Sequence, residues 1–119
     1  MRVLAVDDQK DILATIGTML RGSGHEVTLV QDADTALKQV EAGGFDVLIT
    51  DVLMPDKDGI EVIKALRRRH PELWIVAMSG GGRKIAATVS LKLSEAFGAD
   101  RVLFKPFRRA ELLAAITRS

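Results

Sequence analysis

The sequence predicts one α/β domain in which five short strands alternate with five helices in a doubly wound, parallel sheet. Three observations carry this. Short apolar runs rich in branched side chains alternate with stretches of helical period along the whole chain. Glycine or proline stands at most of the joints. The 119 residues are one domain's worth of chain, with no linker, repeat or low-complexity stretch, so a single unit over residues 1–119 is expected.

The elements follow in order. The first run, Val3-Leu4-Ala5-Val6, precedes a stripe of Ile12, Leu13, Ile16, Met19 and Leu20, which Gly22 and Gly24 stop. Val27-Thr28-Leu29-Val30 precedes Ala33, Ala36, Leu37 and Val40, which Gly43-Gly44 stops. Val47-Leu48-Ile49-Thr50 precedes Ile60, Ile63 and Leu66, with Pro71 just beyond and Arg67-Arg68-Arg69 complementing the helix dipole at its end. Trp74-Ile75-Val76-Ala77-Met78 precedes Ile85, Val89, Leu93 and Phe97, which Gly98 stops. Arg101-Val102-Leu103-Phe104 precedes Leu112, Leu113 and Ile116. Runs this apolar suit strands buried on both faces, so right-handed crossovers should lay helices on both sides.

Composition removes several function classes. There is no cysteine, hence no disulfide, thiolate nucleophile or thiolate zinc site. Two histidines, His25 and His70, cannot build a histidine-rich metal centre, and both read as solvated loop or helix-end residues. No apolar run approaches the ~18 residues that span a bilayer. The chain runs from Val6 straight into Asp7 and Asp8, unlike a signal peptide. A cytoplasmic protein without a membrane partner is expected. Charge is uneven: residues 1–60 hold 11 acids and 5 bases, residues 61–119 hold 5 acids and 12 bases. Such asymmetry can mark nucleic-acid binding, but the late bases are scattered, and no direct nucleic-acid contact is expected.

In sheets of this kind ligands bind beyond the carboxyl ends of the strands. There the sequence places Asp7-Asp8, Asp51, Ser79-Gly80 and Lys105-Pro106, each straight after an apolar run. Three carboxylates gathered at one edge repel, so either their pKa values rise or a cation neutralises them. The donor set is all oxygen, which suits Mg²⁺ or Mn²⁺. A lysine and a hydroxyl opposite the metal would complete a clamp on a phosphoryl group. No Gly-x-x-x-x-Gly-Lys-Ser/Thr or Gly-x-Gly-x-x-Gly spacing occurs, so a phosphoryl group without a gripped nucleotide is the expected ligand. Taken singly the residues have plainer readings. Asp7-Asp8 could cap the first helix, Ser79 could be a turn serine, and Lys105 a surface lysine. Asp56 and Asp58 read as turn and cap residues, and Met19, Met54, Met78 and Trp74 as packing.

Asp7-Asp8, Asp51 within Leu48–Gly59, Ser79-Gly80 and Lys105-Pro106-Phe107 together resemble the receiver domain of two-component response regulators, of the chemotaxis-regulator type. The resemblance runs from Arg2 to about Arg118. It implies a flavodoxin-like sheet of strand order 2-1-3-4-5. It implies Asp51 as the phosphoacceptor, served by a histidine kinase or a histidine phosphotransfer protein. Asp8 and Asp51 would ligate Mg²⁺ directly, Asp7 mainly through a metal-bound water, and the Leu53 carbonyl would add a ligand. Lys105 and Ser79 would contact phosphoryl oxygens, with Ser79 swinging inward in the active state. The Lys105-Pro106 bond would be cis. Met54-Pro55 and Asp58-Gly59 would shape the following loop. The output surface, read by a downstream protein, would lie on the fourth helical stretch, the fifth strand and the fifth helical stretch.

Three positions depart from that pattern. Val102 stands where an aromatic ring often couples to the hydroxyl switch, so the loop from Gly80-Gly81-Gly82 and the fourth helical stretch should carry the shift instead. The segment between Ser79 and Lys105 is about four residues longer than in many relatives. Leu53 and Gly81 cannot hydrogen-bond an attacking water through their side chains, which implies slow self-hydrolysis. Two other classes compete with the switch. A haloacid-dehalogenase-type phosphohydrolase would usually carry a second aspartate where Leu53 stands, and a cap domain for which there is no room. A docking module that is never phosphorylated would have little need of the three acids and Lys105.

Overall fold

Side chains on both faces of a buried strand must be apolar; the runs of the three central strands meet this, while the two edge runs are only partly buried and Phe104 is 49% exposed. The structure, a computed structural model, describes residues 1–52, 59–80 and 98–118. Strands β1 (Arg2–Val6), β2 (Glu26–Val30), β3 (Val47–Asp51), β4 (Trp74–Gly80) and β5 (Arg101–Lys105) form one parallel sheet in the order β2-β1-β3-β4-β5. The described helices are α1 (Lys10–Arg21), α2 (Ala33–Ala42), α3 (Gly59–Arg69) and α4 (Arg109–Ile116). The helix expected around Ile85, Val89, Leu93 and Phe97 lies outside the described residues. None of the described helices is long and apolar enough to cross a membrane.

The pleat sorts the strand side chains into two cores. Leu4, Val6, Leu48, Ile75 and Ala77 pack against Ala36 and Val40 of α2 and Ile63 and Leu66 of α3. Val3, Ala5, Ile49, Val76 and Met78 pack against Ile16 and Leu20 of α1 and Leu112 and Ile116 of α4. The four stripes expected on the described helices face the cores, with Ile12, Met19, Leu37, Ile60 and Leu113 only partly buried, Val62 added on α3 and Ala115 on α4. Asp32 caps α2: its carboxylate accepts from the Thr35 backbone at 2.7 Å and from the Thr35 hydroxyl at 2.9 Å. Those bonds hold its pKa below the ordinary carboxylate value. Gly43, at φ +87°, closes the same helix in a conformation that L side chains rarely adopt.

Arg67 does more than complement a dipole. Its guanidinium donates to the carbonyls of Gly98 (2.9 Å), Pro71 (2.9 Å) and Leu73 (2.8 Å) and pairs with Asp100 at 2.5 Å. The same Asp100 oxygen accepts from the Ile75 backbone at 2.9 Å. One side chain thus ties the end of α3 to the starts of β4 and β5. Gly98 must be glycine here, because a Cβ would lie 2.8 Å from Arg67 Cγ.

Arg67→Ala should lower the unfolding free energy by about 2–3 kcal/mol, since three carbonyls and a carboxylate lose their donor together. Arg67→Lys should recover less than half, because an ammonium cannot reproduce the planar fork. Urea denaturation checks both, and a loss below ~1 kcal/mol in the alanine variant would show the network to be idle.

Candidate functional site

Register brings the strand ends together. Val6 pairs with Thr50, so the next residues, Asp7 and Asp51, are neighbours at the carboxyl edge. At the other side of the site Gly80 pairs with Lys105. Alternation then puts Asp7, Asp51 and Lys105 on the face that carries Val3, Ala5, Ile49 and Leu103. The three side chains are held by rigid strand ends and need no loop to aim them.

Lys105 sits between two buried carboxylates. Its Nζ donates to Asp7 Oδ2 at 2.7 Å and to Asp51 Oδ2 at 3.1 Å. Asp7 is fully buried and Asp51 is 5% exposed, while Asp8 is exposed. One carboxylate oxygen from each of Asp7, Asp8 and Asp51 lies within 4.8 Å of the others, so this cluster could hold a metal ion. Among the described residues three carboxylates face one ammonium, a balance that suits a divalent cation. Burial pulls the Lys105 pKa down, but its bond to Asp7 and the attraction of both carboxylates outweigh that and raise it. Its stabilisation is therefore complete below the ordinary lysine value of 10.5 and is lost as pH climbs through the raised one.

Close backbone approach explains two glycines. A Cβ on Gly80 would lie 2.6 Å from the Lys105 carbonyl oxygen, so a larger residue would push the lysine off its carboxylates. A Cβ on Gly59 would lie 2.5 Å from Val52 Cα, one residue past Asp51. The Lys105-Pro106 bond is cis.

The cleft over these groups has a volume of about 390 Å³ and is walled by Asp8, Gln9, Ile12, Gly80 and Pro106 around Asp51 and Lys105. A larger recess of about 750 Å³ lies at the opposite end, where α2 and α3 finish. Of the residues that wall it, Arg69 and His70 both pair with Glu41 and Asp46 accepts from the Arg2 backbone, and among the described residues the cluster of three acids lies at the smaller cleft instead. The chemistry therefore belongs to the smaller cleft.

Ser79 takes a different place from Asp51 and Lys105. It belongs to β4, which is two residues longer than its apolar run and pairs Ser79 with Phe104. Alternation with Ala77 turns it to the α2–α3 face, and it is not in the cleft wall. Its Oγ is fully buried and has no hydrogen-bond partner among the described residues. Asp7 and Asp8 do not cap α1. The N-cap is Gln9, whose side chain makes no cap bond, and Asp7 Oδ1 instead accepts from the Gln9 backbone at 2.9 Å. Sequence reading passed over Gln9. The available signal was its position, directly after Asp7-Asp8 and before the helix. His25 and His70 lie away from the cleft. Trp74 packs as expected, donating to the Ala115 carbonyl at 2.8 Å. Leu53, Met54, Pro55, Asp56, Asp58, Gly81 and Gly82 lie outside the described residues.

Residues 3–117 match the family model of the response regulator receiver domain. Among curated proteins, the chain is 33% identical over 115 residues to the transcriptional regulatory protein CpxR of Escherichia coli K12, covering 97% of this chain and 47% of that one. It is 33% identical over 116 residues to the transcriptional regulatory protein DltR of Streptococcus agalactiae, covering 98% and 50%. The chain thus spans about half the length of these relatives. Among solved structures, the chemotaxis response regulator CheY4 of Vibrio cholerae has a TM-score of 0.83 at 32% identity, covering 97% of this chain and 94% of that one. A CheY-like receiver domain protein of Methanospirillum hungatei has a TM-score of 0.86 at 27% identity, covering 97% and 89%.

Lys105→Ala leaves Asp7 and Asp51 facing each other without the ammonium between them, and should cost about 3 kcal/mol of stability at neutral pH. Wild-type stability should also fall above pH 10.5 as Lys105 deprotonates, an alkaline limb that the variant lacks. Urea titrations at neutral and alkaline pH check both. Equal alkaline slopes in the two proteins would mean that other groups carry the effect.

Proposed function

Because the chain belongs to the response regulator receiver domains, relatives that signal rather than run metabolic reactions, we propose that it is a phosphorylation-dependent switch whose phosphoacceptor is Asp51. The donor is a histidine kinase or a histidine phosphotransfer protein. The observation that carries this reading is the Lys105 ammonium shared by two buried carboxylates, with the exposed Asp8 beside them. Few structural needs justify so much buried charge at one strand edge.

The donor set fits Mg²⁺, with Mn²⁺ as the alternative. Asp7 already uses Oδ1 on Gln9 and Oδ2 on Lys105, which suits it to act through a metal-bound water. Asp8 and Asp51 would ligate directly, and the Leu53 carbonyl would complete the protein's share. Bound there, the ion would neutralise charge on the phosphoryl oxygens. An Asp51 carboxylate oxygen attacks phosphorus, and the phosphorus–nitrogen bond of the donor breaks. The electron pair stays on the imidazole, which takes a proton. Lys105 then has a phosphoryl oxygen to bind in place of a carboxylate. Ser79 Oγ, a buried donor without an acceptor among the described residues, gains one if the end of β4 turns it toward the cleft. The altered surface, on the segment before β5, on β5 and on α4, is read by a downstream protein.

Acetyl phosphate with Mg²⁺ should add one phosphoryl group to the wild-type chain and none to Asp51→Asn, read by intact mass. Asp51→Asn should fold as well as the wild type, because Asp7 keeps Lys105 and a repelling charge is gone. If the wild type takes up nothing under conditions that label a control receiver domain, the reading loses its main support. A large drop in melting temperature for Asp51→Asn would mean that Asp51 is a structural partner instead.

A further inference from the structure

An aspartyl phosphate must also be removed, and that reaction needs a water held in line with the bond to Asp51. Leu53 and Gly81 offer no side-chain hydrogen bond for it. The described cleft wall narrows the choice further. Ile12 and Pro106 are apolar and Gly80 has no side chain. Lys105 can donate but not accept, Asp51 carries the phosphoryl group, and Asp8 is a ligand in the reading above. Gln9 is the only neutral polar side chain in that wall among the described residues, and the only one with both a donor and an acceptor.

Its position is also uncommon for a glutamine. Gln9 holds the N-cap of α1, where Ser, Thr, Asp or Asn would bond the helix amides, yet its side chain makes no cap bond. Its own N–H is fixed to the buried Asp7 carboxylate at 2.9 Å, which anchors the start of the side chain next to the acidic cluster. The helix gains little from glutamine at this position. Gln9 is instead exposed and lines the cleft.

We propose that the Gln9 carboxamide orients the water that hydrolyses the Asp51 phosphate, and so sets how long the switch stays on. This rests on Asp51 being the phosphoacceptor. The amide oxygen accepts a hydrogen bond from the water and the amide nitrogen donates to a phosphoryl oxygen, the role that a glutamine plays in GTP hydrolysis. The water oxygen bonds to phosphorus and the bond from phosphorus to the Asp51 oxygen breaks. The electron pair returns to the Asp51 carboxylate, and the water's proton leaves on phosphate or to solvent. Gln9 takes no proton and acts through the water, so it is a positioning residue.

The test labels the wild type, Gln9→Leu and Gln9→Ser with acetyl phosphate and Mg²⁺, removes the donor, and follows loss of the phosphoryl group by intact mass. Both variants should lose it about five- to tenfold more slowly, with the rate of uptake unchanged. Serine is a good N-cap and leucine a poor one, so the melting temperatures should move in opposite directions while both decays slow. Decay that follows melting temperature, decay equal to wild type, or uptake that slows as much as decay overturns the proposal. A wild-type chain that takes no label overturns it together with the phosphoacceptor reading. A labelled chain whose decay ignores Gln9 overturns this inference alone.

Discussion

One ammonium between two buried carboxylates sets the conditions for the rest of the site. Asp7 and Asp51 lie beside each other because β1 and β3 run parallel in register, and both are buried, Asp7 fully and Asp51 all but its edge on the cleft. Unpaired, two such charges would cost several kcal/mol each. Lys105 offsets this only because β5 delivers it at the right height, and β5 can approach only because Gly80 has no Cβ. The apolar cores on both faces hold these strand ends in place, so the binding geometry is inherited from the sheet.

Among the described residues one ammonium faces three carboxylates, and the exposed Asp8 leaves the cluster open to a further cation from solvent. A fully compensated site would be more stable and would have little reason to bind anything. On the phosphorylation reading, a divalent ion and then a phosphoryl group would redistribute the hydrogen bonds of this cluster. The ammonium is the group common to every such arrangement.

Most of the sheet and its principal charges were legible in the sequence for a physical reason. Parallel strands buried on both faces leave continuous apolar runs, and a carboxylate or lysine straight after such a run has little freedom of position. Asp7, Asp51 and Lys105 are of this kind. What stayed hidden depends on contacts that no local pattern encodes. Arg67 looks like a helix-end arginine until the fold brings Asp100 to it from 33 residues away. Gln9 has no periodicity to betray it, and its place in the cleft is fixed by its N–H on Asp7 and its carbonyl on the Leu13 backbone. For Ser79 the edge was legible but the face was not. A strand two residues longer than its apolar run decides the pleat on which the hydroxyl falls.

That pleat constrains how a switch in this chain can work. Ser79 faces the α2–α3 core and Asp51 the opposite face, so on the phosphorylation reading the hydroxyl reaches a phosphoryl oxygen only if the last two residues of β4 change conformation. Gly80 is the residue able to absorb that change, having the widest choice of backbone angles. It is also in close contact with the Lys105 backbone, so a turn at Gly80 and a shift of Lys105 are coupled by packing. Val102, partly buried against the α2–α3 core, carries no ring that could swing between two wells. The aromatic relay is thus unnecessary at this step: the serine and the lysine, which would bind the same phosphoryl group, are already joined through one glycine.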